Sequence, residues 1–164
     1  YIIKNRTAIN NKQSTIMKRS LMSMLIALIT IITPLSLAAQ TYKSMPENAR
    51  NYVKKHFKDY TISHYEKDSD LLDVEYKVYV TKNRTTFKLD FDKSGNVKDI
   101  ESVDDRTPLP PSVLPVKITQ YVKKAFPGTK ILEWKKKRNS QVIELSNDME
   151  LVFNAKGDFI RIDE

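Results

Sequence analysis

Two stretches of the chain follow one template, and that duplication limits the fold more than any single motif does. Residues 52–57 read YVKKHF and residues 121–126 read YVKKAF. A proline precedes each at the same distance (Pro46, Pro115), and an isoleucine follows each (Ile62, Ile131). A bulky aromatic comes next (Tyr65, Trp134), then alternating segments, and each copy closes on a related phrase, LDFDKSGNVKDIE at 89–101 and LVFNAKGDFIRIDE at 151–164. Repetition on this scale predicts two similar supersecondary units packed side by side.

Each unit opens with helical periodicity. Ala49, Tyr52, Val53, His56 and Phe57 recur at spacings of three and four behind Pro46, and Ile118, Tyr121, Val122, Ala125 and Phe126 do so behind Pro115. Pro127-Gly128 stops the second helix. The period then changes to two. Val74, Tyr76, Val78 and Val80 alternate with polar neighbours, as do Phe87, Leu89 and Phe91, then Gln141, Ile143 and Leu145, and finally Met149, Leu151 and Phe153. One apolar and one mixed face on each segment predicts antiparallel strands buried on a single side. One helix and about four strands are too little for an independent core, so the two sheets should join, with both helices on one face. The proline-rich stretch 104–112 is then a linker between a first repeat, 40–103, and a second, 113–164.

Charge and the N-terminus set the destination. Five of the 28 Lys and Arg precede residue 39 (Lys4, Arg6, Lys12, Lys18, Arg19) and no Asp or Glu does. The remainder holds 23 bases against 20 acids, an ordinary mixed surface that gives no support to nucleic-acid binding. Met17-Lys18-Arg19, an apolar run from Leu21 to Ile32, and small Ser36 and Ala38 have the layout of a cleaved signal peptide over 17–39. Cleavage after Ala38 or Ala39 would leave a chain free of the membrane, in the periplasm or outside the cell. Residues 1–16 are read as upstream sequence outside the working protein. With no cysteine, disulfide staples and thiol chemistry are excluded.

These residues resemble the PepSY-like, beta-lactamase-inhibitor-like family of small periplasmic proteins. The resemblance covers 44–164 and is carried by the YVKKxF helices, the Y-x-V-x-V strand, LxFDxxG and the terminal IDE. It implies an α+β fold: two tandem helix-plus-strand repeats forming one roughly eight-stranded antiparallel sheet, with two helices on one face. It also implies an open concave face, which in the namesake inhibitors grips a partner protein, and no enzymatic activity. The chain lacks the cysteines of those inhibitors, so inhibition of a beta-lactamase does not carry over. Some relatives are described as calcium-regulated.

The sharpest local match is to a calcium loop. Asp90, Asp92, Ser94, Gly95, Asn96 and Glu101 fall at the positions an EF-hand uses for oxygen ligands and its turn glycine. Phe87–Phe91 alternates as a strand, however, and the second copy replaces Asp92 with Asn154, so a hairpin turn explains the same residues. His56 reads as a packing residue and His64 lies on a strand, without metal-ligand spacing between them. No serine sits in a nucleophile elbow, and catalysis is not expected.

Strand parity supplies the binding candidates. If the Val74–Val80, Phe87–Phe91 and Met149–Phe153 apolar sets face the helices, then Tyr79, Asp90, Val142 and Val152 face outward, and Phe159 joins them by its offset from Ile160 and Ile162. Tyr65 and Trp134 follow a bulge and are compatible with either face. Tyr65, Tyr79, Trp134, Val142, Val152 and Phe159 thus form a candidate partner-binding set of apolar anchors. Lys135-Lys136-Lys137-Arg138 suits either an acidic partner or the guarding of an edge strand. The function expected is an exported, non-enzymatic protein holding another protein or a peptide, as an inhibitor of a secreted enzyme among other uses. The alternative is a calcium-responsive or ligand-sensing module built on the Asp90–Glu101 turn.

Overall fold

The computed structural model describes residues 43–69 and 73–163. The expected signal peptide and the residues ahead of it lie outside that range. No helix among the described residues is long and apolar enough to cross a membrane.

Each repeat begins where a proline sets the entry to a helix. Pro46 (φ −53°) precedes α1, Glu47–His56, and Pro115 (φ −62°) precedes α2, Val116–Ala125. Both helices bury one narrow stripe, Ala49 and Val53 in α1 and Ile118 and Val122 in α2. They end alike: the Phe57 N–H donates to the Val53 carbonyl and the Phe126 N–H to the Val122 carbonyl, each at 2.8 Å. Lysines fill the last turn of both, where cations meet the negative end of the helix dipole.

Eight strands follow in the order β1 Thr61–Ser69, β2 Val74–Lys82, β3 Thr85–Phe91, β4 Val97–Ser102, β5 Ile131–Lys136, β6 Ser140–Leu145, β7 Glu150–Asn154 and β8 Phe159–Asp163. They pair antiparallel in chain order as one continuous sheet. The two repeats meet at β4–β5, where only Asp99↔Lys135, Ile100↔Trp134 and Glu101↔Glu133 are in register. The fold is thus the joined, one-sided α+β sheet expected from the repeat.

The repeats share their irregularities as well. Register shifts fall between Ile62 and His64 in β1 and between Ile131 and Glu133 in β5. A second pair falls at Asp90/Phe91 and Val152/Phe153. Asn83 and Asp148 take positive φ in the β2–β3 and β6–β7 hairpins, and Gly95 and Gly157 in the next turns. Matching bulges at matching places are what a duplicated unit predicts, because a bulge re-aims every side chain beyond it.

The core lies between the helices and one sheet face. Phe87, Leu89, Phe91, Ile100, Ile143, Leu145, Leu151 and Phe153 are buried there against Val53, Phe57, Ile118 and Val122. The stretch after β4 also packs. Leu109 is 3% exposed and donates its N–H to the Ile131 carbonyl, and Val113 and Leu114 join the same cluster. Asp104 closes the bend, accepting from Ser102 Oγ and from the Arg106 and Thr107 amides. The Thr107 hydroxyl, which donates to its Oδ2, and those bonds together hold its carboxyl well below the usual range.

Candidate binding face

The helices cover one face of the sheet, and the side chains of opposite parity form the other. Tyr79 lies there, half-buried, between His64 on β1 and Lys88 on β3. Val142 and Val152 also lie there, directly paired across β6–β7. They are only 6% and 4% exposed and stand apart from the core cluster. They present little free area, so they do not act as exposed anchors.

Three other candidates lie on the helix side, and a bulge is the reason each time. The β5 bulge returns Trp134 to the core side, opposite Ile100 and Ile143, where it is 7% exposed. Its Nε1 donates to Gln141 Oε1 at 2.9 Å. Trp134 therefore fills the seam between repeats rather than meeting a partner. The equivalent β1 bulge places Tyr65 opposite Val78, stacked with Tyr76 at 6.2 Å. In β8 the register shift sets Phe159 opposite Phe153, with its ring stacked on Tyr121 of α2 at 4.8 Å. Of the six candidates, only Tyr79 offers an accessible ring on the uncovered face.

Charge dominates the rest of that face. Reading across the strands, one row runs Lys88, Glu101, Glu133, Glu144, Glu150 and Asp163. The adjacent row runs Lys77, Asp90, Asp99, Lys135, Val142, Val152 and Arg161. Lys88 pairs with Glu101, Lys135 with Glu133 at 2.7 Å, and Arg161 with Asp163 at 2.6 Å. Asp99 is 7% exposed, and its Oδ2 lies 3.6 Å from Lys135 Nζ. Burial, the neighbouring Glu133 and Asp90 push its carboxyl up to about 7, against Lys135 and Lys88. Burial likewise raises Asp90, and it raises Glu144 with help from Glu133 and Glu150.

A cleft of ≈ 400 Å³ opens beside these rows, with Asp90 and Asp99 in its lining together with the Glu75–Lys98 ion pair and Lys135–Arg138. β5 pairs on both sides and is not an edge, so the edge-guarding reading of Lys135–Arg138 fails. Lys135 is neutralised by Asp99 and Glu133, and Lys136, Lys137 and Arg138 are exposed at the turn without an ion pair among the described residues.

The residues expected to ligate calcium do not converge. Asp90 and Glu101 project from strands on the open face, Glu101 already held by Lys88. Asp92 instead organises the turn: its Oδ1 accepts from the Ser94 and Asn96 amides, at 2.8 and 2.9 Å, and its Oδ2 from Asn96 Nδ2. Against the cost of burial, those bonds lower its carboxyl. Among the described residues no group of three or more His, Asp or Glu is gathered as a metal ion needs.

The acidic row was missed in the sequence because cross-strand register, not spacing along the chain, assembles it. The signal was present only as scattered carboxylates, Asp99 and Glu101 in β4 and one in each of the next four strands.

The PepSY-like family profile, described as beta-lactamase-inhibitor-like, matches residues 37–99 and again 74–161. Among solved structures, a candidate calcium-regulated periplasmic protein of Bacteroides thetaiotaomicron is 31% identical with a TM-score of 0.67, the match covering 75% of this chain and 93% of that one. A candidate periplasmic protein of Bacteroides vulgatus is 28% identical, TM-score 0.66, covering 75% and 93%. A second protein from that organism, of unknown function and 23% identical, shares the fold at a TM-score of 0.66 over 74% and 94%. No curated protein matches the chain. The two profile matches overlap over 74–99 and together run from 37 to 161, across both helices and nearly the whole sheet, and the chain belongs to the PepSY-like family.

Proposed function

We propose that this protein is an exported, non-enzymatic binding module that holds a protein or peptide segment on the uncovered face of its sheet. The observation behind this reading is the division of the molecule. Helices, connector and aromatic core all occupy one side, and the other presents ordered rows of charged side chains around Tyr79. Side chains fixed by strand register are pre-organised, which lowers the ordering cost of binding. A periplasmic setting is supported by the similar structures named as periplasmic proteins and by the signal-like segment at 17–39. Binding alone is the mechanism; where the partner is a secreted enzyme, covering its active site would inhibit it. The calcium regulation in the name of the Bacteroides thetaiotaomicron relative would need other ligands here, since Asp92 is committed to its turn.

Photocrosslinking tests the face. A reactive residue in place of Tyr79 or Lys77 should capture a partner from the native compartment. One in place of Val116, 69% exposed on α2, should not. Capture from Val116 alone would refute the assignment.

A further inference from the structure

The bases at the end of β5 also line a second cleft, on the helix side of the sheet. Lys136, Lys137 and Arg138 meet Lys156 of the β7–β8 turn around a cavity of ≈ 310 Å³, and no carboxylate is among its lining residues. None of the four has an ion pair among the described residues, and nearby Asp158 is held by Lys117. The cleft on the open face shares three of these bases, but Glu75, Asp90 and Asp99 line it too and offset their charge. The floor of the second cleft is fixed. Trp134 and Gln141, each 7% exposed, are bonded to one another, and Gln141 Nε2 donates to the Asn154 and Ala155 carbonyls at 3.4 and 3.3 Å. The turns that carry the bases are pinned as well. The Lys137 N–H donates to the Ser140 carbonyl and the Lys156 N–H to Asn154 Oδ1, both at 2.9 Å.

The duplication supplies an internal control. Residues 136, 137, 138 and 156 correspond to Lys67, Asp68, Ser69 and Ser94 in the first repeat. One base and one acid stand there, and Asp68 lies 3.6 Å from Lys77. Both repeats build the same helix, bulges and hairpins, so the fold does not require four bases at this place. Like charges gathered round one cleft repel, and an anion seated among them removes that cost.

We infer that the cleft over Trp134 and Gln141 binds a phosphate group carried as a monoester. Such a group gathers about −1.5 to −2 charge and three acceptor oxygens at one point, and lysine and arginine are the donors suited to it. Carboxylates on alternate residues of an extended acidic peptide are about 6.5–7 Å apart. That spacing suits a row of bases better than two turns gathered round a single cleft. The inference goes beyond the open-face reading, because the two sites lie on opposite sides of the sheet and fail independently.

The test titrates inorganic phosphate, glycerol phosphate and an oligoglutamate peptide into the full, isotope-labelled protein at constant ionic strength, with chloride as the reference anion. Both phosphates should shift the backbone amides of residues 136–141 and 154–158 saturably. The variant Arg138→Ser/Lys156→Ser, which installs the first repeat's residues, should weaken them at least about tenfold. It should melt no lower than the parent, which separates lost binding from lost folding. Lys54→Ser/Lys55→Ser, which removes two bases from α1, should bind as the parent does. Vesicles of phosphatidic acid in phosphatidylcholine identify the source: binding in excess of phosphatidylcholine alone, lost in Arg138→Ser/Lys156→Ser, assigns the phosphate to a lipid headgroup, and no excess assigns it to a soluble ester. Shifts no larger than those from chloride, equal weakening by the α1 variant, or unchanged affinity in Arg138→Ser/Lys156→Ser would each overturn the inference. Tighter binding of oligoglutamate than of either phosphate at these amides would overturn it in favour of an acidic peptide.

Discussion

Asp90 and Asp99 stand opposite each other on β3 and β4, and each has a buried Oδ1 without a hydrogen-bond donor. Burial favours the protonated form of both, and for Asp99 the repulsion of Glu133 and then Asp90 adds to it and takes the carboxyl to about 7. A carboxyl raised on folding binds its proton more tightly in the native state than in the unfolded one. Stability therefore falls as pH rises from the ordinary carboxylate range near 4 to about 7. At about 1.4 kcal/mol per pKa unit the loss is on the order of 2–4 kcal/mol. Asp92 and Asp104 are lowered, so their contributions disappear at more acid pH, whereas raised Glu144 adds to the decline in this window and His56, lowered by burial and Lys55, opposes it. Urea midpoints measured across it should decline more steeply for the native chain than for Asp99→Asn, in which raised Asp90 and Glu144 remain. A common slope for both would count against the pair.

Gly95 lies against the start of α1, where an added Cβ would come 2.7 Å from the Ala49 nitrogen and 2.8 Å from Pro46 Cβ. Its counterpart Gly157 has only contacts of 3.5 Å, to Ile118 and Lys117. Both take positive φ, so alanine costs about 1–2 kcal/mol at either from backbone alone. Gly95→Ala adds overpacking against backbone that cannot move aside, worth at least about 1 kcal/mol more. Thermal melts of the two variants should differ in that order, and equal losses would contradict the close packing of turn on helix.

The helices, the strand count and the joined sheet were legible because each rests on local periodicity repeated twice. The facing of individual side chains was legible only as far as the next bulge. Tyr79, Val142 and Val152 lie in uninterrupted alternation and were placed on the correct side. Tyr65 and Trp134 follow the bulges at Ile62/His64 and Ile131/Glu133, and Phe159 precedes the one in β8. Each bulge inserts a residue and reverses the parity beyond it. Parity also said nothing of cover, so the burial of Val142 and Val152 went unseen. The carboxylate row needs five strands in register, and no spacing along one chain encodes that.

Trp134 at the seam yields a prediction opposite to that for an exposed anchor. Trp134→Ala should cost about 3–5 kcal/mol through the cavity it opens between the repeats. Trp134→Phe keeps most of the volume but strips Gln141 Oε1 of its donor, a loss of about 1–3 kcal/mol. Adding Gln141→Leu should recover part of that loss. Partner capture through Tyr79 should survive Trp134→Phe in any case. A variant that folds normally but loses capture would return Trp134 to the binding face.

Asp92 and Asn154 occupy equivalent turns and do the same work with different chemistry. Asn154 Oδ1 accepts from the Lys156 and Asp158 amides, both at 2.9 Å, and its Nδ2 donates to Asp158 Oδ2. In the first copy the acid is Asp92 and the amide is Asn96, so the two types have exchanged places across one bond. Either residue holds the turn, because what the turn needs is an acceptor oxygen two and four residues ahead of two free N–H groups. Asp92→Asn should therefore shift stability by less than about 0.5 kcal/mol, and Asp92→Ala should cost about 1–2 kcal/mol. Calcium at millimolar concentration should leave the melting temperature of all three proteins in the same order and at the same spacing. A calcium-dependent rise in the native chain that Asp92→Asn abolishes would mean that the carboxylate, and not merely its hydrogen bonds, is what the turn preserves.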